Sequence, residues 1–362
     1  MTISAETARG TGSRAERISA EPQGPALARA IAVLAADGLA ALPTETVYGL
    51  AARAASDAAV ARLYAAKGRP STNPLIVHVA SLEQAARFAD TAPAAAVADL
   101  WPGPLTAVLA LTDPSAIAAA ALAGGSTVAV RIPASPFFRA VAEAVGPIVA
   151  PSANRSGRIS PTSADAVAEE LANRIDLIVD AGPCRVGLES AVVDLTGPPR
   201  LLRPGGIALA ELEARLGPVA LGGEAAASGP LRSPGLLSSH YAPRARVRLD
   251  VPAAEVREGE AWLALGPEPS AAGEAFTVRL SETCDLDEAA RRLYDGLRHL
   301  DATGAATIAV SPIPAEGIGL AIRDRLRRAA APRPGDDARG LHDNDAAACP
   351  PHPDPTQPTQ ER

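Results

Sequence analysis

The sequence predicts an α/β protein built from two domains. Apolar, strand-like segments alternate with helical segments along most of the chain, which is typical of α/β domains. At roughly 100–200 residues per domain, 362 residues suffice for two. A stretch rich in Gly, Ala, Ser and Pro, 217–235, separates the two halves. The order of the segments leaves open whether the strands form a parallel or a mixed sheet.

Local signals support each element of the first domain. Gly38 stands at a C-cap position, and serines stand where helices begin. The predicted helices are Pro25–Asp37, Ser56–Ala66, one from Ser81, one near Pro114–Leu122, Pro136–Val145 and Ser163–Asn173. The predicted strands are Leu39–Leu42, Leu75–Val79, Leu105–Leu111, Thr127–Ile132, Pro147–Ala150, Leu177–Asp180 and Ala191–Leu195.

The second domain repeats the alternation on a smaller scale. Its predicted elements are the strands Val247–Val251, Trp262–Leu265, Phe276–Leu280 and Thr307–Val310 and the helices Leu286–Leu300 and Ile318–Ala330. We therefore expect a first domain at 24–216, a linker at 217–245 and a second domain at 246–330. The polar ends, 1–23 and 331–362, are expected to be disordered.

Composition excludes several classes of protein. No apolar run approaches the roughly 18 uncharged residues of a membrane span, and polar residues 1–23 are not a signal peptide. A net charge of −7 argues against a protein whose main task is gripping nucleic-acid phosphates. Three distant cysteines without a CxxC pair indicate reduced thiols in the cytoplasm rather than a disulfide framework or a zinc site.

One basic residue stands against the composition. Lys67 is the single lysine among 34 lysine and arginine residues. It opens the loop 67–74, where Lys67 beside Arg69 could hold a phosphate. A solvated basic turn is the usual alternative, but arginine has replaced lysine everywhere else. We therefore interpret Lys67 as a residue whose compact charge is required.

Polar residues cluster at other predicted strand ends, where α/β sheets bind ligands. The hydroxyls of 43–49 could orient a small polar ligand, or form only a structural turn. The run 151–162 suits an anion or nucleotide at a helix N-terminus, or capping alone. Arg131 ends a predicted strand and points toward a cleft, although a surface ion pair is the alternative. His78, in an apolar strand, is by default a hydrogen-bonded core histidine.

Together these clusters hold four cations and many hydroxyls. They are Lys67, Arg69, Arg131 and Arg203. We found no carboxylate dyad, metal triad or Ser-His-Asp set in the sequence pattern. This inventory fits phosphate-bearing substrates and catalysis by positioning and charge stabilisation, with Mg²⁺ held by the substrate's own phosphates.

Seven ordered motifs resemble one family. PTETVYG, KGRPSTNPLIVHV, WPGPLT, TVAVRIP, PSANRSGRISPT, GLES and LLRPG resemble the YrdC-like threonylcarbamoyl-AMP synthases in their longer form. The resemblance covers Ala26–Gly205, and Ser233–Gly235 and His240–Pro243 match the long form's linker. Residues 246–330 match only in length and α/β pattern. The resemblance implies a YrdC-like twisted mixed sheet with helices, followed by a smaller Rossmann-like domain.

The resemblance also implies a reaction. L-Threonine, bicarbonate or CO₂, and ATP would give threonylcarbamoyl-AMP and pyrophosphate. The threonylcarbamoyl-AMP would then serve to form threonylcarbamoyladenosine in tRNA. A threonylcarbamoyl transferase complex would take the product. The protein itself would contact tRNA only weakly and would not bind a membrane. The Mg²⁺ would arrive with ATP, and no metal would be bound by the protein itself.

The same resemblance assigns residues to each substrate, and Lys67 and Arg69 would also be catalytic. Threonine would be held by Thr46, His78, Arg131, Ser152 and Ser190. ATP would be held by Lys67, Arg69, Asn73, Thr127, Asn154, Ser160, Thr162, Arg203 and Tyr241, the last as a lid.

The chain departs from the family pattern at a few positions. Ala191, Ala51 and Ser135 replace the usual Thr, Gly and His, and the linker has Leu237–Ser239 where the family has basic and aromatic residues. None of these removes a core cation. The alternatives are a carbamoyltransferase-type relative, which would carry extra modules, and a non-catalytic RNA-binding paralogue, which the low aromatic content disfavours.

Overall fold

The computed structural model describes residues 14–20, 24–222 and 240–332. Within them the first part of the chain forms an 11-stranded sheet of order β1-β8-β2-β3-β7-β4-β6-β5-β9-β10-β11. Its strands are β1 Glu16–Ser19, β2 Ala40–Leu42, β3 Gly49–Arg53, β4 Ile76–His78, β5 Leu105–Ala110, β6 Thr127–Arg131, β7 Ile148–Val149, β8 Leu177–Asp180, β9 Ala191–Asp194, β10 Arg200–Arg203 and β11 Ala220–Leu221.

Pairing in this sheet is mixed, which settles the point that the sequence left open. β4 and β6 run parallel, whereas β5 and β7 lie antiparallel to their neighbours β6 and β4. The parallel register places His78 opposite Arg131, so both side chains come from the same edge of the sheet. β9 starts beside the start of β5, which puts the GLES motif at that edge too.

Helices cover both faces of the sheet because strand side chains alternate between the faces. Ala40 and Leu42 pack in one core beneath the first and fifth helices, whereas Ala41, between them, packs in the core of the opposite face. The helices of this part are α1 Pro25–Ala35, α2 Asp57–Lys67, α3 Leu82–Ala85, α4 Ala119–Leu122, α5 Pro136–Val145, α6 Ala164–Leu171 and α7 Leu209–Leu216.

The second α/β unit is a four-stranded parallel sheet of order β12-β15-β13-β14. Its elements are β12 Arg246–Arg248, β13 Ala261–Ala264, β14 Thr277–Arg279, β15 Thr307–Val310, α8 Leu286–Ala302 and α9 Gly319–Ala330. The core between this sheet and its two helices also contains Val47, Ile159 and Leu188 of the first part. The core of the second unit therefore includes apolar side chains of the first.

Several elements follow the sequence prediction closely. Ser56, Ser81 and Ser163 each accept a backbone N–H at the N-terminus of a helix, and Ser135 does the same for α5. Two predictions were wrong. The residue that takes the left-handed conformation after α1 is Asp37, with φ 58°, rather than Gly38. Residues 16–19 form a strand, whereas we expected 1–23 to be disordered.

The cause of the second error is long-range pairing. β1 pairs with β8 in parallel, and Arg17 donates to Asp180 at 2.6 Å. A polar segment can join a sheet edge when a neighbouring strand supplies the hydrogen bonds. The composition of the segment alone does not indicate that such a strand is present. β3, β10, β11 and α7 were also not predicted, and β11 lies inside 217–245, which we expected to be a linker. The expected tail from 333 and the linker residues 223–239 lie outside the described residues.

We predict that Gly205→Ala destabilises the fold. A Cβ at this position would stand 2.1 Å from the Ala191 amide nitrogen and 2.6 Å from the Glu189 carbonyl oxygen, and backbone atoms cannot yield cheaply. The free energy of unfolding, measured with denaturant, should fall by about 1–3 kcal/mol or more.

Gly197→Ala is the matched control, because a Cβ there meets nothing within 4 Å. Its unfolding free energy should stay within about 0.5 kcal/mol of the parent. Equal stability of the two variants would contradict this account of the Gly205 contact.

Candidate active site

Lys67 joins two of the sequence motifs. It is the last residue of α2, and Gly68, with φ 61°, turns the chain away from the helix axis. The Nζ donates to the carbonyl oxygens of Ser152 and Asn154, each at 2.5 Å. Burial lowers the pKa of Lys67 well below its usual value, and the charge of Arg69 adds to the effect. The compact ammonium thus holds the loop 151–156 against the end of α2.

Arg69 lies beside it and is also buried. Its Nε donates to the Asn73 carbonyl oxygen at 3.2 Å and its Nη2 to that of Pro74 at 2.9 Å. Burial lowers the pKa of Arg69 to about 10. In the part of the chain that the structure describes, neither Lys67 nor Arg69 forms a salt bridge with a carboxylate. Two buried cations therefore have carbonyl oxygens as partners, and an anionic ligand would offset their charge.

Unsatisfied amides lie in the same place. Asn73 is 1% exposed, yet neither its Oδ1 nor its Nδ2 finds a partner among the described residues. Asn154 donates through Nδ2 to two carbonyl oxygens, while its Oδ1 is similarly unpaired. Such groups are rare in folded proteins because each costs about 1–3 kcal/mol. Their presence beside the cations indicates a place for a polar ligand.

Arg131 centres a second group at the edge of the sheet. Its Nη2 donates to Glu45 Oε1 at 2.6 Å and to Thr46 Oγ1 at 2.8 Å. Glu45 Oε2 in turn accepts the Ala134 amide at 2.9 Å. The pair is buried, so the surface ion pair considered as an alternative is excluded. His78, opposite Arg131 in the sheet, has its pKa lowered well below 6.5 by burial and by the charge of Arg131.

Ser190 and Arg203 form a third group. Arg203 Nη2 donates to the Ser190 carbonyl oxygen at 3.0 Å and to its Oγ at 3.2 Å. The same Oγ lies 2.8 Å from Thr106 Oγ1. The antiparallel pairing of β9 with β10 brings these residues together, although 13 positions separate them in sequence.

Glu189, next to Ser190, is a carboxylate inside the site. Its Oε1 accepts from Ser160 Oγ at 2.5 Å, and its Oε2 accepts from Tyr294 at 2.9 Å and from Arg325 at 2.7 Å. Burial alone raises the pKa of Glu189, but the charges of Arg325 and Arg203 outweigh burial and bring it to about 2. The carboxylate is therefore ionised at neutral pH.

Tyr241 is enclosed by groups from both α/β units. Its ring centroid lies 4.1 Å from that of His240 and 5.8 Å from that of Tyr294, with the Arg325 guanidinium 5.3 Å from the ring centre. The charge of Arg203 lowers the pKa of Tyr241, and Tyr241 in turn affects the pKa of Arg69. Burial lowers the pKa of His240 to about 3, and its Nδ1 has no partner among the described residues.

The structure brings most of the predicted site residues into linked groups. Direct contacts or sheet register connect Thr46, His78 and Arg131, then Lys67, Ser152 and Asn154, then Arg69 and Asn73, and finally Ser190 and Arg203. Ser160 and Thr162 contact carboxylates, those of Glu189 and Asp295.

Thr127 stands apart from the Arg131 group. It begins β6 and is therefore roughly 13 Å along the strand from Arg131. In the register of β6 with β4, Ala129 lies opposite Ile76, so Thr127 lies two residues further toward the edge of the sheet where β4 begins. The partly exposed Thr127 thus belongs to the edge that holds the unpaired amides.

Several residues of the site were not singled out from the sequence. Glu45 and Glu189 lie inside the motifs PTETVYG and GLES, so their place in a motif could have identified them as site residues. Tyr294, Asp295 and Arg325 come from the second domain, where the sequence matched only in length and pattern. The linker residues Ser233–Gly235 and Leu237–Ser239 lie outside the described residues.

Chemically, the arrangement suits an anionic substrate. Within residues 14–20, 24–222 and 240–332, no cluster of three His, Cys, Asp or Glu side chains could hold a metal ion. Glu189, a buried carboxylate of the site, is already engaged by three donors. Cys184 is buried, and burial raises its pKa to about 12, so its thiol stays protonated at neutral pH. In the same described residues, no helix is long and apolar enough to span a membrane.

Comparison with known proteins gives matches along both parts of the chain. Residues 32–205 match the Sua5/YciO/YrdC family model, described as "Telomere recombination". Residues 207–331 match a model described as "Threonylcarbamoyl-AMP synthase, C-terminal domain".

Relatives of similar length share both parts. Threonylcarbamoyl-AMP synthase of Pyrococcus abyssi is 42% identical over 314 residues, which are 80% of this chain and 90% of the relative. The Bacillus subtilis enzyme of that name is 39% identical over 327 residues, 85% of this chain and 94% of the relative.

A solved structure has the same fold. The crystal structure of P. abyssi Sua5 complexed with L-threonine superimposes with a TM-score of 0.79 and 37% identity, and the match covers 88% of this chain and 98% of that one. The family resemblance and the α/β fold predicted from the sequence are thereby confirmed, and the chain belongs to the two-domain threonylcarbamoyl-AMP synthase family.

Proposed function

We propose that this protein makes L-threonylcarbamoyl-AMP and pyrophosphate from L-threonine, bicarbonate or CO₂, and ATP. One observation carries the proposal: Lys67 and Arg69 are buried cations beside unsatisfied asparagine amides, and Arg131 of the same sheet binds a carboxylate. A triphosphate would offset the buried charge, and Arg131 suits an amino-acid carboxylate. The name of the relatives supports the same activity.

Threonine is proposed to lie at the Arg131 group. Arg131 Nη2 is held by Glu45 and Thr46, which fixes the plane of the guanidinium and leaves Nη1 to meet the threonine carboxylate. His78, with its lowered pKa, is neutral at pH 7, so it can accept a hydrogen bond from the substrate. Ser152 and Ser190 complete the proposed threonine contacts.

ATP is proposed to lie along the cations. Two of the three donors of the Lys67 ammonium serve carbonyl oxygens, and the third can meet a phosphate oxygen. Tyr241, which interacts electrostatically with Arg69 and Arg203, is proposed to close over the nucleotide. The remaining proposed ATP contacts are Asn73, Thr127, Asn154, Ser160 and Thr162. Mg²⁺ enters this scheme with the phosphates of ATP, as part of the substrate.

The chemistry then needs no covalent bond to the protein. The threonine nitrogen adds to the carbon of CO₂ and loses a proton, which gives a carbamate. A carbamate oxygen attacks the α-phosphorus, and the bond to the bridging oxygen breaks so that pyrophosphate leaves. The buried cations stabilise the charge that develops on the phosphates, in a place that excludes water.

The product is proposed to pass to a threonylcarbamoyl transferase complex that modifies tRNA. With a net charge of −7, any contact of this chain with tRNA is expected to be weak. The cytoplasmic location expected from the cysteines stays a prediction.

The decisive assay measures pyrophosphate. Purified protein with ATP, Mg²⁺ and bicarbonate should release pyrophosphate and form AMP-linked threonylcarbamate only when L-threonine is added. Omission of threonine is the control. Release that does not depend on threonine, or no release, would contradict the proposal, and the RNA-binding alternative would then be tested by tRNA binding.

A second test concerns the single lysine. Lys67→Arg should lower kcat/KM for ATP by about tenfold or more, because a planar, longer guanidinium cannot place donors on both carbonyl oxygens at 2.5 Å and also meet a phosphate. Steady-state pyrophosphate release measures the effect, and thermal unfolding checks that the variant is folded.

Arg62→Lys provides the matched control. Arg62 lies on the same helix, and its side chain is 48% exposed. Its kcat/KM should equal that of the parent protein. If Lys67→Arg behaves like this control, the compact charge of Lys67 has no special role.

A further inference from the structure

Helices α8 and α9 of the second domain contact the nucleotide side of the proposed site directly. Thr162 Oγ1 donates to Asp295 Oδ1 at 2.6 Å, and Arg298 donates to the Ile159 carbonyl oxygen. Gly187, with φ 79°, lets α8 approach closely, since a Cβ there would stand 2.5 Å from the Arg291 Cα. Segments 159–162 and 187–190 are thus packed against the second domain.

Arg325 of α9 is the most deeply placed of these contacts. Its side chain is 0% exposed, and its Nε donates to Glu189 Oε2 at 2.7 Å. Nη2 donates to the Pro204 carbonyl oxygen at 2.9 Å, and Nη1 donates to Asp324 at 2.7 Å. Every side of the guanidinium fork is therefore used, and two of its three partners belong to the first domain, beside Ser190 and Arg203.

Because Glu189 is held in place, it also orients Ser160. With Oε2 held by Arg325 and Tyr294, the carboxylate presents Oε1 to Ser160, whose Oγ–H it accepts at 2.5 Å. Since an ionised carboxylate can only accept, the proton of the serine hydroxyl is committed to Glu189. Ser160 therefore offers only its lone pairs to a ligand.

Thr162 is set in the same way. Its hydroxyl proton is donated to Asp295 of α8. Ser160 and Thr162, two of the hydroxyl residues that the family resemblance assigns to ATP, are thus turned into acceptors by carboxylates. Acceptors suit the ribose hydroxyls or the exocyclic amine of a nucleotide, whereas they would repel phosphate oxygens, which are acceptors themselves.

We propose that Arg325, assisted by Tyr294, is a positioning residue for ATP: it holds Glu189, and through Glu189 it orients Ser160 toward the nucleoside end of the nucleotide. The second domain is then a working part of the ATP site rather than an appended module. This inference rests on the proposed function, because it takes ATP as the ligand.

A purely structural role is the competing explanation. A buried ion pair adds little net stability, but removal of one partner leaves an unpaired buried charge and is strongly destabilising. Loss of activity in a single Arg325 variant would therefore be ambiguous. The test needs variants that keep the fold and a measurement that separates ATP from threonine.

The experiment measures the Kd for ATP by calorimetry and the KM values for ATP and threonine in the full-length protein. Arg325→Met should raise the Kd and KM for ATP by about tenfold or more, with the threonine KM changed less than twofold. Arg325→Lys should recover part of the loss, because an ammonium can still donate to Glu189. Tyr294→Phe, which removes one oxygen atom, should raise the ATP Kd by a few fold.

Arg323→Met is the matched control, since Arg323 lies on the same helix with its side chain 46% exposed. Its ATP Kd should equal that of the parent. In the double variant Glu189→Gln with Arg325→Met, the ATP defect should be no larger than in Arg325→Met alone, because both changes break one chain of contacts.

Three outcomes would overturn the inference. They are an unchanged ATP Kd in folded Arg325→Met and Tyr294→Phe, equal increases in the threonine and ATP KM values, or additive defects in the double variant. If Arg325→Met does not fold, Tyr294→Phe and Arg325→Lys decide by the same criteria. Failure of the parent protein to bind ATP would count against the proposed function instead.

Discussion

The buried carboxylate of Glu189 is the interaction on which the two halves of this protein depend. It accepts from Ser160 on one oxygen and from Tyr294 and Arg325 on the other, so a single side chain joins the large sheet to both helices of the second domain. Its charge is tolerated because Arg325, itself fully enclosed, lies 2.7 Å away. Apolar contacts also join the two halves, because Ile159 and Leu188 pack among residues of the second domain.

Other buried charges of the site have different kinds of partner. Lys67 and Arg69 donate to carbonyl oxygens, whereas Arg131 is paired with Glu45. The difference suits two kinds of ligand. A triphosphate brings enough negative charge to meet uncompensated cations, while a small zwitterionic amino acid needs an arginine whose orientation is already fixed. Lys67 and Arg69, which form no ion pair with a carboxylate in the described part of the chain, thus lie where the ligand with the larger negative charge is proposed to bind.

The sequence predicted a large part of this arrangement, for reasons that are local. Serine caps, apolar runs and the motif loops located most helices and strands, and the scarcity of lysine pointed to Lys67 at the end of α2. The missed strands have non-local causes. β1 exists because β8 supplies its hydrogen bonds, and β10 was not recognised although its partner β9 was. Short polar or mixed segments have no periodic signal of their own, so their neighbours decide their structure.

The sequence by itself determined the α/β class, the motif loops and the residue types that suit phosphate and carboxylate. These follow from local periodicity, capping and charge, which do not require knowledge of distant contacts. Only the tertiary structure decided which cations have carboxylate partners, that Ser160 and Thr162 donate their hydroxyl protons to carboxylates, and that Arg325 reaches the site from 136 positions beyond Glu189. The direction of a hydroxyl proton and the partner of a buried charge depend on what packs beside them, and that is set by the fold of the whole chain.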